Sequence, residues 1–191
     1  MQLLNFDEVN KYQTFREWLT SMKPSELMDK KKEVRERVGD LLEFAYMLGY
    51  TSASEELGVI ADDVAEFLPK DYMDEREKEV YRKFDDKDFS ERVTEYAEMG
   101  DASNILRVAE TDGNRVYNAG GLLGAKGKAK TKTWNTMEDD RVRDTHDYLE
   151  QMTVPIDGEF YTYDGDHARY PGDFTKPQNS INCRCFLTFD K

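Results

Sequence analysis

Cysteine and histidine are scarce, two of each in 191 residues. Two cysteines cannot build a disulfide framework, and Cys183 and Cys185, separated by one residue, cannot bridge each other without strain. Long apolar runs are missing too. None approaches a membrane span, and the opening MQLLNFDEVNKYQ has neither the basic nor the apolar region of a signal peptide, so cytoplasm is the expected compartment. Positive charge is in deficit, with 27 Lys and Arg against 40 Asp and Glu and a formal charge of -13. Such a surface repels nucleic acid and anionic membrane, so any DNA contact has to be local. Apolar residues are also sparse, at 38% against 35% charged, while 12% aromatics argue against disorder. The balance points to a folded protein that relies on partners. No repeat, low-complexity tract, Ser-His-Asp arrangement, phosphate loop or dinucleotide fingerprint is present.

What is there reads as an α+β protein with at most two domains. Pro24 suits a first helical turn, and Val34, Val38, Leu41, Leu42, Ala45 and Leu48 recur at helical spacing up to Gly49, which reads as a stop. A second helix is expected from a Ser52–Glu55 capping box, with Leu57, Ile60, Ala61, Val64 and Leu68 as its stripe and Pro69 as its end. Together they predict an N-terminal helical hairpin, on which a short helix around Phe15, Trp18 and Leu19 can pack. The charge-dominated stretch 70–88 reads as an exposed spacer and divides a helical region, 1–88, from a smaller α+β module, 89–191. In that module Asp88 and Glu91 form a second capping box and Gly100 closes the helix. A long helix follows from Asp101. Strands are expected around Trp134, on either side of the Asp157–Gly158 turn, and at the end of the chain in INCRCFLTF, giving a closing antiparallel sheet.

Lys126, Lys128, Lys130 and Lys132 alternate with Gly, Ala and Thr. An extended arm would present all four on one side, either as a solubilising loop or as a phosphate-contacting finger without sequence specificity. Farther on, Arg143 and His146 stand one turn apart on a short helix that Asp139 or Asp140 can cap.

The ordered segments RVAETDGNRVYNAG, KTWNTMEDDRVRDTH, VPIDGEF, YPGDF and INCRC, which include Trp134, Asn182 and Arg184, resemble the Mu F-like phage head morphogenesis family, also called minor head proteins, over residues 89–191. The resemblance implies a non-catalytic, few-copy component of a tailed-phage or prophage head. Such a component is bound to the portal or inner capsid and assists head assembly and DNA packaging or ejection. It also implies that the positions of His146, Cys183 and Cys185 recur in the family. Residues 1–88 carry no resemblance.

All histidines and cysteines lie in the last third of the chain. His146, His167, Cys183 and Cys185 would make a tetrahedral zinc set; the alternative is that the thiols are buried core and His146 pairs with Asp144 or a backbone carbonyl. Asp139, Asp140, Arg141, Arg143 and Asp144 are expected to form a salt-bridge lattice bracing the helix against NCRC, with Arg184 facing away from the thiols. The competing functional classes are a metal-dependent nuclease built on His146 and the neighbouring aspartates, and a phage-associated effector.

Overall fold

The computed structural model describes residues 10–59, 68 and 70–191. The class is α+β, with helices first and antiparallel strands near the C-terminus, as the sequence predicts. Helix α1 (Asn10–Thr20) buries Tyr12, Phe15 and Leu19, and α2 (Pro24–Asp29) begins at its proline. Helix α3 (Lys31–Glu56) buries the expected stripe from Val34 to Ala45, leaves Leu48 half-buried, and does not stop at Gly49. Its end comes at Gly58, whose φ is +78°; the amides of Gly58 and Val59 return to the carbonyls of Glu55 and Ser54, closing the helix in a left-handed cap. The Ser52–Glu55 box therefore falls inside α3, and most of the second expected stripe (Ile60, Ala61, Val64) lies outside the described residues.

Gly49 has a different task. A Cβ there would lie 1.9 Å from the carbonyl oxygen of Tyr117, on helix α6 (Ala102–Ala125). On the other side of the contact, a Cβ at Gly120 would meet the Tyr46 carbonyl at 2.1 Å, and one at Gly124 the Tyr50 carbonyl at 2.4 Å. Helices α3 and α6 thus cross with their backbones in van der Waals contact, which only residues without a Cβ permit.

Helix α4 (Tyr72–Val80) lies in the stretch expected to be a spacer. It packs instead, burying Tyr72, Val80 and the charged Glu79. Helix α5 (Phe89–Glu98) starts at the predicted box: the Asp88 carboxylate accepts from the Glu91 amide, and the Glu91 carboxylate accepts from the Asp88 amide. Residues of all these helices share one apolar core with the strands.

Strands β1 (Thr131–Asn135), β2 (Thr153–Pro155) and β5 (Phe186–Asp190) form one antiparallel sheet in the order β2-β1-β5. Strands β3 (Phe160–Tyr161) and β4 (His167–Ala168) form a separate pair. The Asp157–Gly158 turn therefore does not join a hairpin; the strands on either side of it pair elsewhere. The last strand also begins later than predicted, at Phe186, so NCRC precedes the sheet. Along the outer side of β5 the Leu187 amide donates to Asn118 Oδ1 and the Phe189 amide to Glu56 Oε1, so side chains, rather than another strand, satisfy this edge.

The four alternating lysines do not form an arm. Lys126 caps α6, and the chain turns into β1 within five residues. Lys128 folds back so that Nζ donates to the Gly124 carbonyl and to Ser54 Oγ. Lys132 lies within β1 and is 1% exposed. Lys126, Lys128 and Lys130 stay exposed, Lys128 with its ammonium tied to the helix end, while strand register, which the alternation did not reveal, turns Lys132 inward.

Candidate functional site

A short helix, α7 (Asp144–Asp147), carries His146 into the interior. Arg143, expected on the helix, instead precedes it and ties it down: its guanidinium donates to the carbonyls of Asn179 and Ile181. Thr145 Oγ1 donates to Asn179 Oδ1. Asn179 sits in α8 (Pro177–Ser180) and hydrogen-bonds Asp166, which is buried and also accepts from Thr175, Lys176 and the His167 amide. Burial alone would raise the Asp166 carboxyl; the hydrogen bonds from Asn179, Thr175 and the backbone outweigh it and hold the group below the usual carboxylate range. This polar knot fixes the loop leading to the thiols.

The NCRC segment is held by α6. The Asn182 amide donates to Thr111 Oγ1, and Asn114 and Asn118 each donate from Nδ2 to the Cys185 carbonyl at 3.1 Å. The polar residues of RVAETDGNRVYNAG are thus a docking face for NCRC. On its other side Arg184 makes a bidentate pair with Asp139, at 2.8 and 2.6 Å, and Arg141 joins at 3.6 Å. These hydrogen bonds to Arg184 hold the Asp139 carboxyl at about 2. Asp140 and Asp144 enter no ion pair among the described residues, so the bracing is narrower than the predicted lattice.

His146, Cys183 and Cys185 converge. Nδ1 lies 3.3 Å from the Cys185 sulfur and 3.7 Å from that of Cys183, and all three are buried. Their walls are aromatic, with Phe174 stacked on the imidazole at 5.3 Å and Trp134 edge-on at 5.5 Å. His146 therefore faces sulfur rather than Asp144 or a carbonyl. The two thiols share a proton unequally: the Cys185 hydrogen bond, with His146 beside it, pulls Cys183 well down, and the same contact together with burial pushes Cys185 well up. His146 Nε2 and Trp134 Nε1 are buried without a hydrogen-bond partner of good geometry, although the indole lies near enough to Cys185 to favour its thiolate.

The trio fits a zinc ion by spacing. Zn–S of about 2.3 Å and Zn–N of about 2.0 Å at tetrahedral angles place nitrogen and sulfur about 3.6 Å apart. The observed 3.3 and 3.7 Å bracket that value. Beside the thiols, between Met137, Arg141 and Arg143, is a space of about 10 Å³, close to what one small ligand atom needs. His167 is not part of the group. It lies on β4, half-exposed, stacked on Tyr161 at 5.7 Å with Nε2 3.9 Å from Glu159. Among the described residues the His146–Cys183–Cys185 trio is the single cluster able to hold a metal.

Behind α6 lies a second polar cluster, which the sequence reading missed. Arg115, 1% exposed, donates to Glu79 Oε2 at 3.0 Å and to the Glu79 carbonyl at 2.8 Å. Arg92 pairs with Asp112 at 2.5 Å, Arg169 with Asp173 at 2.8 Å, and Arg82 also reaches Asp173. The available signal was Asp112 and Arg115 standing one turn apart within RVAETDGNRVYNAG.

Known proteins can be set against this geometry. Over 85 residues the chain is 32% identical to minor head protein GP7 of Bacillus phage SPP1; the aligned stretch is 42% of this chain and 28% of that protein. The chain therefore spans less than a third of the length of that curated relative. No solved structure matches it. A family model described as phage Mu protein F like protein matches residues 74–188. That span covers more than half of the chain and contains α6, the trio and the contacts that join them, so the chain belongs to the phage Mu protein F like family.

Proposed function

We propose that the protein is a non-catalytic minor head component of a tailed phage or prophage, bound to the portal or inner capsid and assisting head assembly or DNA delivery. The observation that carries this reading is the family match over residues 74–188, supported by the likeness to a relative named as a minor head protein. The His146–Cys183–Cys185 trio serves as a zinc clip that locks NCRC to α7. Its burial in an aromatic pocket and its lack of a carboxylate among the described residues suit a structural ion better than a nuclease centre. With Lys132 buried and the Lys128 ammonium engaged by the Gly124 carbonyl and Ser54, Lys126 and Lys130 are the two of the four best placed for a local DNA contact. No helix is long and apolar enough to cross a membrane among the described residues, and none is needed for this role.

Quantitative mass spectrometry of density-purified particles tests the proposal. A low and reproducible ratio to the major capsid protein, retained after salt washing, is expected. Absence from particles would refute it.

A further inference from the structure

A cleft of about 510 Å³ opens between the tight turn Phe84–Lys87, helices α5 and α6, and the segment from Phe174 to Ile181. Its volume falls within the range of about 300–1,000 Å³ typical of ligand sites. In a chain of net charge -13, five cationic and three anionic side chains line it. Two of its carboxylates are already neutralised, Asp112 by Arg92 and Glu95 by Lys87. Lys83 and Arg107, both exposed, have no carboxylate at ion-pair distance among the described residues. The rest of the lining is mixed, with Thr111, Thr175 and Ser180 beside apolar Val108, Pro177 and Ile181, the last 41% exposed at one side.

We propose that this cleft is a docking site for an acidic, apolar-containing peptide segment of a partner protein, its carboxylates taken by Lys83 and Arg107 and its apolar side chains by the lining around Ile181. The inference rests on the head-component reading for its biological setting, though not for its chemistry. Charge complementarity carries it, since a local positive excess inside an acidic surface selects a short acidic segment and repels a second acidic surface elsewhere. Single-stranded nucleic acid is the poorer fit. The Phe84 ring already carries the guanidinium groups of Arg82, Arg92 and Arg115 at 5.4, 5.5 and 5.4 Å, so it is not free to stack on a base.

The test uses the purified full chain and three probes: a fluorescein-labelled peptide alternating Glu and Leu, a matched Lys and Leu peptide, and inorganic phosphate as competitor. The acidic peptide should bind and the basic one should not. A Lys83→Glu, Arg107→Glu variant should bind the acidic peptide about tenfold more weakly and gain affinity for the basic one, as expected for reversing two unpaired charges. A Lys30→Glu, Lys191→Glu variant, equal in net charge and exposed outside the cleft, should keep wild-type binding. Failure of the acidic peptide to bind overturns the proposal, as does equal loss in both variants or displacement by phosphate as effective as by unlabelled peptide. Because the measurement needs no particle, its result stands apart from whether the chain is a virion component.

Discussion

Replacing the buried lysine of strand β1 should make the protein more stable. Lys132 is 1% exposed, sits opposite Val154 and Phe189 in the sheet, and holds its ammonium 5.7 Å from the centroid of Phe160. Burial first, and repulsion from Arg169 second, bring its pKa from 10.5 to about 8; Asp157, Asp173 and Glu159 offset part of this. Below pH 8 the group is charged in both folded and unfolded chains, so the fold carries the full cost of the buried ammonium. At about 1.4 kcal/mol per pH unit that cost is at most about 3.5 kcal/mol. Discounting for residual solvent access to the charged end, and for a cation–π contact of about 0.5–1 kcal/mol that is lost with the charge, leaves about 1–2 kcal/mol. Lys132→Met keeps the stem and removes the ammonium, so urea unfolding at pH 7 should show a gain of about 1–2 kcal/mol, or about 3–6 °C in Tm. The sign also fixes the pH dependence. Between pH 8 and 10.5 the unfolded chain binds more protons than the folded one, so wild-type stability rises relative to the variant and the difference closes by about pH 10.5. Loss of stability in Lys132→Met at pH 7, or a difference that does not change with pH, would refute the reasoning and mean that the ammonium is held by a favourable contact.

Other outcomes follow from the same geometry. Elemental analysis of protein purified without chelator should find about one zinc per chain, and a Cys183→Ser, Cys185→Ser variant should lose both the metal and several kcal/mol of stability; a smaller loss with no metal in the wild type would make the thiols core alone. Gly120→Ala forces a Cβ to 2.1 Å from the Tyr46 carbonyl and should cost about 3 kcal/mol or more in chemical unfolding, whereas Gly39→Ala, facing only the edge of the Phe89 ring at 3.3 Å, should cost far less. Comparable losses in the two would argue against backbone contact. Arg115→Met takes the 3.0 Å partner from buried Glu79, leaving it Arg169 at 3.5 Å, while Asp112 keeps Arg92; it should destabilise by about 3 kcal/mol, and a neutral result in thermal unfolding would show that Arg115 is dispensable to the network. The Asp139–Arg184 pair holds a carboxyl depressed to about 2, so its contribution is present above the ordinary carboxylate pKa of about 4 and fades as pH falls toward 2. Asp139→Asn should remove that part of the acid transition, and an unchanged acid limb would show that the pair adds nothing.

Local chemistry was legible wherever one residue type had one common use. The Asp88–Glu91 box, the start of α6 at Asp101 and the strand around Trp134 were all written in short-range pattern. Scarcity made the trio legible as well, since a chain with four histidines and cysteines offers few combinations, yet linear order could not tell that His167 pairs with a different sheet. Gly49 shows the limit. A glycine after an apolar stripe reads the same whether it ends a helix or admits a neighbouring backbone, and only α6 decides between them. Glu79 fails for a related reason: charge signals exposure until a buried arginine, 36 residues away, makes burial tolerable. NCRC looked like strand because its residues alternate; it is positioned instead by Thr111, Asn114 and Asn118, whose partners the sequence does not name.

The glycine-lined crossing has a consequence for sequence variation. What α6 demands of the helix laid across it is outline, a bare stretch of backbone at Gly49 with carbonyls at Tyr46 and Tyr50, and many sequences can supply that outline. The groove on α6 asks the same at Gly120 and Gly124, where a Cβ would meet the Tyr46 and Tyr50 carbonyls. The crossing therefore fixes three glycines, one on α3 and two on α6, and leaves the residues between them to vary so long as the apolar stripes are kept.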